Sequence, residues 1–362
     1  MSDLHKSFLK RAKQAEASLG LSSLSEEGDD LPSPLPATIN FPKQTTRKRD
    51  ETNHFSIHKT YENARSSFTQ CQFTRGDITF EVYYQPPEVE GITYVLNHGA
   101  GSSSMTFSMM APRLPSVLLY DMRGHGQSTT SRPPDYSLDT LTDDFQFVLK
   151  QAREKWGIKD VVLVGHSLGG AVLTNYLVKN EDNQVKGLAM IDIVEETAVH
   201  SLSAMTGYID KLPSSFVTYD DAIQWHKKMG LLHNTFSAQI SIPDLFFDRN
   251  GKLYWKMNLR DTSPFWETWF KDLSSNFVTC GENVGKLLIL AGHESLDKDL
   301  MIGQMQGKFQ LVVLHGGHFL QEDVPVGVAA TLTDFGSKIQ DPEGYMKREL
   351  GVIPKWGGKI NK

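Results

Sequence analysis

A chain of 362 residues, of which 39% are hydrophobic, can bury the core of one α/β domain together with an insertion. Its formal net charge of −6 does not attract nucleic acids or anionic membranes, so neither is expected as a partner. Two cysteines, Cys71 and Cys280, are too few for a disulfide framework, and no apolar run resembles a secretory signal or a membrane span. We therefore expect a protein of a reducing compartment, in the cytoplasm, with the nucleus left open.

The first part of the chain has the composition of a flexible segment. Residues 1–20 interleave apolar and basic side chains, which fits a docking helix, a targeting arm or a frayed tail, and we favour the tail. Residues 22–52 are rich in Ser, Pro, Glu and Asp and have few large apolar side chains, so burial cannot offset the entropy of ordering them. The basic triplet 47–49 is shorter than a nuclear localisation element usually is. We predict a flexible N-terminal region over residues 1–55 and a C-terminal tail over residues 341–362.

From about residue 78 onward, apolar runs alternate with helical segments. This rhythm predicts an α/β fold with a mostly parallel central sheet flanked by helices, in which strands are continuously apolar because both faces are covered. The predicted core has two parts, residues 56–198 and 286–340. Its predicted strands are residues 78–84, 93–97, 117–121, 161–164, 187–191, 286–290 and 309–314.

Between the two core parts, residues 199–285 lose the strand pattern and become rich in Trp, Phe and Met. Helical pieces at residues 222–229 and 265–273 indicate a helical cap inserted into the sheet domain. Aromatic side chains at helical spacing pack inside such a cap more often than they line a substrate groove. The side chains that could take either role are Trp225, Trp255, Trp266 and Trp269.

The motif G-x-S-x-G spans residues 165–169 and directly follows the predicted strand 161–164. A strand, this motif and a helix form the nucleophile elbow of serine hydrolases, in which the serine occupies a strained turn that exposes its Oγ. The backbone can turn that tightly only between small residues, and Gly165 and Gly169 meet this need. We therefore predict Ser167 as the nucleophile of an α/β-hydrolase fold with an inserted helical cap.

In the α/β-hydrolase order of serine, acid and histidine, the histidine follows the last strand. His318 fits this order, because it follows strand 309–314 after two glycines that allow its imidazole to reach the elbow. His315 competes for the role, but it lies nearer the end of the strand and has no glycines before it. We predict His318 as the general base, which later protonates the leaving alkoxide.

The sequence leaves open which acid pairs with His318. The commonest placement follows the next-to-last strand, where Glu294 and Asp297 stand. Asp192 offers a rival placement, because it ends the strand after the elbow and its carboxylate could also reach His318. Asp192 could equally cap the helical segment that follows it. Spacing alone does not choose among the three carboxylates.

Two glycine-rich turns follow the second and third predicted strands. Residues 98–101 (HGAG) resemble the HGGG-type oxyanion loop of esterases, so we predict the backbone N–H groups of Leu168 and Ala100 as oxyanion donors. Residues 121–128 (DMRGHGQS) resemble a turn of many α/β-hydrolases, which we interpret as scaffold. A serine nucleophile excludes relatives that use an aspartate, such as dehalogenases. No histidine spacing indicates a metal, and no cofactor is expected.

Three stretches of the chain together resemble one family closely, the protein phosphatase methylesterases. They are residues 165–170 (GHSLGG), 190–195 (MIDIVE) and, most specifically, 296–310 (LDKDLMIGQMQGKFQ), which generic hydrolases lack. The resemblance extends roughly over residues 76–335. Members of this family remove the methyl ester from the C-terminal leucine of the type 2A phosphatase catalytic subunit, so the resemblance implies that subunit as partner and substrate.

Carried over by position, the resemblance implies a triad of Ser167, Asp192 and His318 and leaves Asp297 a structural role. It also implies acyl transfer to the serine with loss of methanol, and a site that is remodelled when the phosphatase docks. The chain departs from the family pattern at Ala100, where relatives have a glycine, and in lacking a long acidic insert between residues 239 and 250. A phosphatase-binding regulator and a small-molecule esterase are the alternative functions.

Overall fold

The structure, a computed structural model, describes residues 51–130, 134–292 and 295–342. The predictions for residues 1–50, for the tail from residue 343 and for Glu294 lie outside the described residues. The strands are β1 (Thr69–Arg75), β2 (Ile78–Gln85), β3 (Thr93–Asn97), β4 (Val117–Tyr120), β5 (Thr129–Thr130), β6 (Val161–His166), β7 (Val185–Ile191), β8 (Phe246–Arg249), β9 (Lys252–Trp255), β10 (Gly285–Ala291) and β11 (Gln310–Leu314).

Nine of these strands form one sheet in the order β1-β2-β4-β3-β6-β7-β10-β11, with β5 paired to β2. The neighbours from β4 to β11 are parallel, whereas β2 pairs antiparallel with β1, β4 and β5. Every residue of β3, β4 and β6 is buried, as expected for strands covered on both faces. The predicted α/β fold with a mostly parallel sheet is thus confirmed. Strand β11 lies at the end of the sheet, and most of its residues are half-buried.

Helices cover both faces of the sheet and form two apolar layers with it. Leu141 and Phe145 belong to one layer, and Val328 and Leu332 belong to the other. The helices are α1 (Glu51–Ser66), α2 (Leu138–Trp156), α3 (Leu168–Lys179), α4 (Glu195–Ile209), α5 (Tyr219–Lys228), α6 (Thr235–Ser241), α7 (Trp266–Trp269), α8 (Leu273–Thr279), α9 (Lys298–Met305), α10 (Leu320–Asp323) and α11 (Pro325–Gln340). Short 3-10 helices span Ser104–Phe107, Ala111–Arg113, Ile242–Leu245 and Leu259–Phe265.

The chain between β7 and β10 leaves the sheet and forms helices α4 to α8. It also contains the antiparallel hairpin β8–β9, which the prediction of a purely helical cap did not include. Trp225 and Trp269 are buried, and the Trp255 ring packs on Phe246 with 4.4 Å between ring centroids. These aromatic side chains therefore contribute to the packing of the inserted segment.

Helix α1 begins at Glu51, which corrects the predicted flexible boundary at residue 55. Its side chains Ile57 and Tyr61 are buried, and the Tyr61 hydroxyl donates to Asp244 Oδ1 at 2.6 Å. Asp244 belongs to the segment inserted between β7 and β10. Contacts with this distant segment therefore hold a helix whose own sequence pattern is weakly amphipathic. Among the described residues, no helix is both long and apolar enough to cross a membrane.

Candidate active site

Ser167 lies at a strained turn between β6 and α3. Its backbone angles are φ 51° and ψ −122°, a combination that few residues other than glycine adopt. Hydrogen bonds fix the turn on both sides, since Ser167 N–H donates to Ile191 O (3.1 Å) and Ser167 O accepts from Gly170 N–H (2.8 Å). Strand, strained serine and helix therefore have the arrangement of a nucleophile elbow.

The two glycines of the G-x-S-x-G motif are required by close backbone packing. A Cβ atom on Gly165 would lie 2.4 Å from Gly170 N, and one on Gly169 would lie 2.2 Å from Asn97 O. Side chains do not tolerate such distances to backbone atoms, so any larger residue would push α3 away from the strands. The motif thus sets how closely α3 approaches the end of β3 and the end of β6.

Gly169→Ala is expected to lower the free energy of unfolding by about 3 kcal/mol, because the added methyl group must displace backbone rather than a flexible side chain. Gly207→Ala is the matched control, since among the described residues no atom beyond the local backbone of helix α4 lies within 4 Å of its Cβ position. Alanine there should stabilise the helix by up to about 1 kcal/mol. Urea unfolding measures both variants, and equal stabilities would contradict the packing argument.

The imidazole of His318 pairs with the carboxylate of Asp192. His318 Nδ1 lies 2.8 Å from Asp192 Oδ2, and the carboxylate is buried whereas the imidazole is about half exposed (48%). Asp192 itself is held firmly, because its Oδ1 accepts from Ala291 N–H and its N–H donates to Ile289 O, each at 2.8 Å. The structure thus brings together the ends of β7 and β10 and the loop after β11.

Asp297, another candidate for the acid, is engaged elsewhere. Its Oδ1 accepts from Leu300 N–H at 3.0 Å as the N-cap of α9, and its Oδ2 accepts from Ser274 Oγ. Of the two candidate acids within the described residues, Asp192 is therefore the one that contacts His318. His315, the alternative histidine, faces Gly292, whose Cβ position would lie 3.3 Å from His315 Nδ1.

His166, the second residue of the motif, supports the loop that carries His318. Its Nε2–H donates to the His318 carbonyl oxygen at 2.9 Å, and the two ring centroids lie 4.7 Å apart. Burial, together with the nearby His318, lowers the pKa of His166 well below its usual value, so the ring is neutral. The motif does not predict this contact, because the residue between its first glycine and its serine is variable.

Ser167 Oγ lies at the elbow without a hydrogen bond to the His318 imidazole. Among the described residues, no hydrogen bond links Ser167 Oγ to His318. In free hydrolases such hydrogen bonds are often long and shorten only when substrate binds. The structure therefore shows the His318–Asp192 pair assembled and the serine hydroxyl unengaged.

The loop 98–101 lies against the elbow. A Cβ atom on Gly99 would be 3.1 Å from Ser167 Cβ, which shows how close the loop comes to the serine. Within the part of the chain that the structure describes, the N–H groups of Ala100 and Leu168 have no hydrogen-bond acceptor. Two unpaired N–H groups beside a serine are what an oxyanion hole requires. Both predicted donors are thus available.

A narrow cavity of about 30 Å³ lies between the oxyanion loop and the segment that leaves the sheet. Gly101 and His125 line it from the core, and Trp255 and Leu259 line it from the inserted segment.

Within residues 51–130, 134–292 and 295–342, no group of three or more histidine, cysteine or acidic residues could hold a metal ion. The groups that this site offers for chemistry are the Ser167 hydroxyl, the His318 imidazole and the backbone N–H groups of Ala100 and Leu168.

Comparisons with known proteins agree with this architecture. A family model described as alpha/beta hydrolase fold matches residues 95–325. Two solved structures share the fold: an E-2-(acetamidomethylene)succinate hydrolase (TM-score 0.62, 19% identity, 74% of this chain and 98% of that chain) and a thioesterase domain from the curacin biosynthetic pathway (TM-score 0.57, 17% identity, 74% and 99%). The chain is an α/β-hydrolase.

Curated relatives narrow the class further. The chain is 45% identical to protein phosphatase methylesterase 1 of Debaryomyces hansenii and 46% identical to that of Candida albicans, with 100% of both proteins covered in each comparison. The Saccharomyces cerevisiae protein of the same name is 40% identical over 73% of this chain and 69% of its own length. The chain therefore belongs to the protein phosphatase methylesterase family, and it is a carboxylic ester hydrolase. The resemblance drawn from three sequence stretches is confirmed.

Proposed function

We propose that this enzyme demethylates the C-terminal leucine methyl ester of the type 2A protein phosphatase catalytic subunit. The observation that carries the proposal is the His318–Asp192 pair, 2.8 Å apart, beside a serine elbow in a chain of this family. The names of the full-length relatives support a phosphatase methyl ester as substrate. The products are methanol and a free C-terminal carboxylate.

The mechanism we propose is acyl transfer through Ser167. His318 Nε2 takes the proton of the serine hydroxyl while Oγ attacks the ester carbonyl carbon, and Asp192 holds the opposite ring nitrogen and stabilises the imidazolium. His318 then returns the proton to the leaving methoxide, and methanol departs. A water molecule, deprotonated by the same imidazole, hydrolyses the acyl-enzyme and regenerates the serine.

The oxyanion that forms on the carbonyl oxygen needs donors that are already in place. The N–H groups of Ala100 and Leu168 beside the serine, which have no acceptor among the described residues, fit this role, and such a donor is worth roughly 3 kcal/mol in related oxyanion holes. Alanine in place of a third glycine changes no backbone donor. The loop can therefore serve the same purpose as the HGGG loop of other esterases.

A second candidate is a regulator that binds the phosphatase and for which hydrolysis is secondary. The stretch 296–310, which carries the resemblance most specifically, exposes Met301, Ile302 and Met305 from helix α9. Exposed apolar side chains grouped on one helix favour contact with another protein. We propose the phosphatase as that partner, and the cytoplasm and nucleus as the locations of the encounter.

Methyl release from a carboxymethylated phosphatase catalytic subunit tests the proposal directly. The wild-type enzyme should release one methanol per methylated subunit, and a fluorophosphonate probe should label the peptide that contains Ser167. The matched comparison is p-nitrophenyl acetate, a small ester without a protein portion. Cleavage of this ester alone would make the chain a small-molecule esterase, and phosphatase binding without methanol would make it a regulator.

A further inference from the structure

The turn 121–128, interpreted from sequence as scaffold, is bonded directly to the oxyanion loop. Met122 N–H donates to His98 Nε2 and Gly101 N–H donates to His125 Nε2, both at 3.0 Å. A third bond joins Ser104 N–H to Asp121 Oδ1 at 2.8 Å. These three bonds connect the ends of β3 and β4, which are neighbours in the sheet. The turn is therefore placed to affect the loop's conformation.

Both imidazoles in this contact are neutral and have the same tautomer. Each accepts a backbone N–H at Nε2, so the ring proton sits on Nδ1, where it donates to a carbonyl oxygen. His98 Nδ1–H donates to Gly99 O at 2.8 Å, and His125 Nδ1–H donates to Arg123 O at 2.9 Å. Burial lowers the pKa of His98 to about 3 and that of His125 to about 4, which agrees with neutral rings.

The two histidines form hydrogen bonds with the two peptide groups on either side of Ala100. The carbonyl of Gly99 and the N–H of Ala100 belong to one planar trans peptide, so fixing the oxygen toward His98 directs the N–H to the opposite side. The next peptide is fixed by the bond from Gly101 N–H to His125. Gly101 has φ 71°, so this peptide is held in a conformation that favours glycine.

We propose that His125, together with His98, positions the oxyanion hole by holding the peptide groups that flank Ala100. The N–H of Gly101 is occupied by His125 and that of Ser102 by Gly99 O at 3.3 Å, so Ala100 N–H is left for the substrate oxyanion. Each histidine acts on the oxyanion hole through the backbone groups that it binds. This role rests on the proposed function, because the oxyanion forms only during ester hydrolysis.

A pair of substitutions at His125 separates positioning from packing. His125→Phe keeps a flat ring beside His98 and Tyr136, whose ring centroids lie 5.0 and 6.2 Å away, but it cannot accept the Gly101 N–H. His125→Gln retains an acceptor oxygen. We expect the phenylalanine variant to lose about 10- to 100-fold in kcat with little change in KM, as when an oxyanion donor is weakened. The glutamine variant should recover most of this loss.

Both variants are assayed on whichever ester the wild type cleaves, methylated phosphatase or p-nitrophenyl acetate, with Ser167→Ala as the blank. Affinity for phenylboronic acid, which mimics the tetrahedral intermediate, should fall with kcat in the phenylalanine variant. An unchanged kcat, or equal losses in both variants, would overturn the positioning role. A wild type that cleaves neither ester would instead overturn the proposed function.

A measurement on the wild type keeps the test decisive if the phenylalanine variant does not fold. Nitrogen-15 NMR of histidine-labelled enzyme at neutral pH should show two rings with the proton on Nδ1 and an unprotonated, hydrogen-bonded Nε2. Phenylboronic acid should shift both Nε2 signals, because the oxyanion mimic binds beside the peptide groups that these rings hold. Signals of the opposite tautomer, or no response to the boronic acid, would contradict the proposal.

Discussion

Ser167→Ala is expected to lower kcat for ester hydrolysis by about 10⁶-fold, because the proposed triad acts as one unit and has no second nucleophile. Binding of the phosphatase catalytic subunit should remain, since within the described part of the chain the Ser167 hydroxyl makes no hydrogen bond that holds the elbow together. The backbone strain at φ 51° is a property of the turn and is kept in alanine. Methanol release and pull-down of the methylated subunit measure the two properties separately.

Ser203→Ala provides the control for this variant. Ser203 is exposed on helix α4 and its Oγ donates only to the local His200 carbonyl, so its loss should leave kcat unchanged. If Ser167→Ala kept more than one hundredth of the wild-type rate, a nucleophile other than this serine would have to be sought. If binding and hydrolysis were lost together, the elbow would be needed for docking as well as for chemistry.

Asp192→Asn is expected to lower kcat by about 10⁴-fold, with Asp297→Asn as its matched partner. An amide in place of the Asp192 carboxylate leaves the imidazole in the wrong tautomer and removes the charge that stabilises the imidazolium. Asparagine at residue 297 still caps α9 through its side-chain oxygen, so activity should stay within about twofold and stability within about 1 kcal/mol. Steady-state kinetics and urea unfolding of both variants decide the assignment.

If Asp297→Asn lost most of its kcat while Asp192→Asn kept it, Asp192 would have no role in the mechanism. Wild-type kinetics in the Asp297→Asn variant would show that the capping contacts of Asp297 have no part in the chemistry.

The sequence alone does not determine which acid pairs with His318. The proposed nucleophile follows from a motif on contiguous residues, and the proposed general base His318 follows from its position after the last strand. Asp192 and Asp297 cannot be separated this way, because β7 and β10 are parallel neighbours with Ile191 paired to Ile289, so both strands end at one edge. Which carboxylate reaches the imidazole depends on side-chain direction in three dimensions.

Two elements that were not predicted have different explanations. The hairpin β8–β9 turns at Asn250 and Gly251, which have φ 54° and 76°. An Asn-Gly pair between two short stretches that contain aromatic residues is a sequence signal for such a hairpin. Helix α1 offers no comparable signal. Its stability comes from burying Tyr61 against a residue 183 positions away, which only the folded chain brings into reach.

The three residues of the proposed triad follow strands that differ in burial. Ser167 and Asp192 follow β6 and β7 in the fully covered interior, whereas His318 follows β11, the half-buried strand at the end of the sheet. Local opening of a protein begins where fewest contacts must break, which is at such an edge. On warming, the loop that carries His318 should therefore separate from the sheet before the whole domain unfolds. Catalytic activity should then be lost at a lower temperature than the temperature of global unfolding.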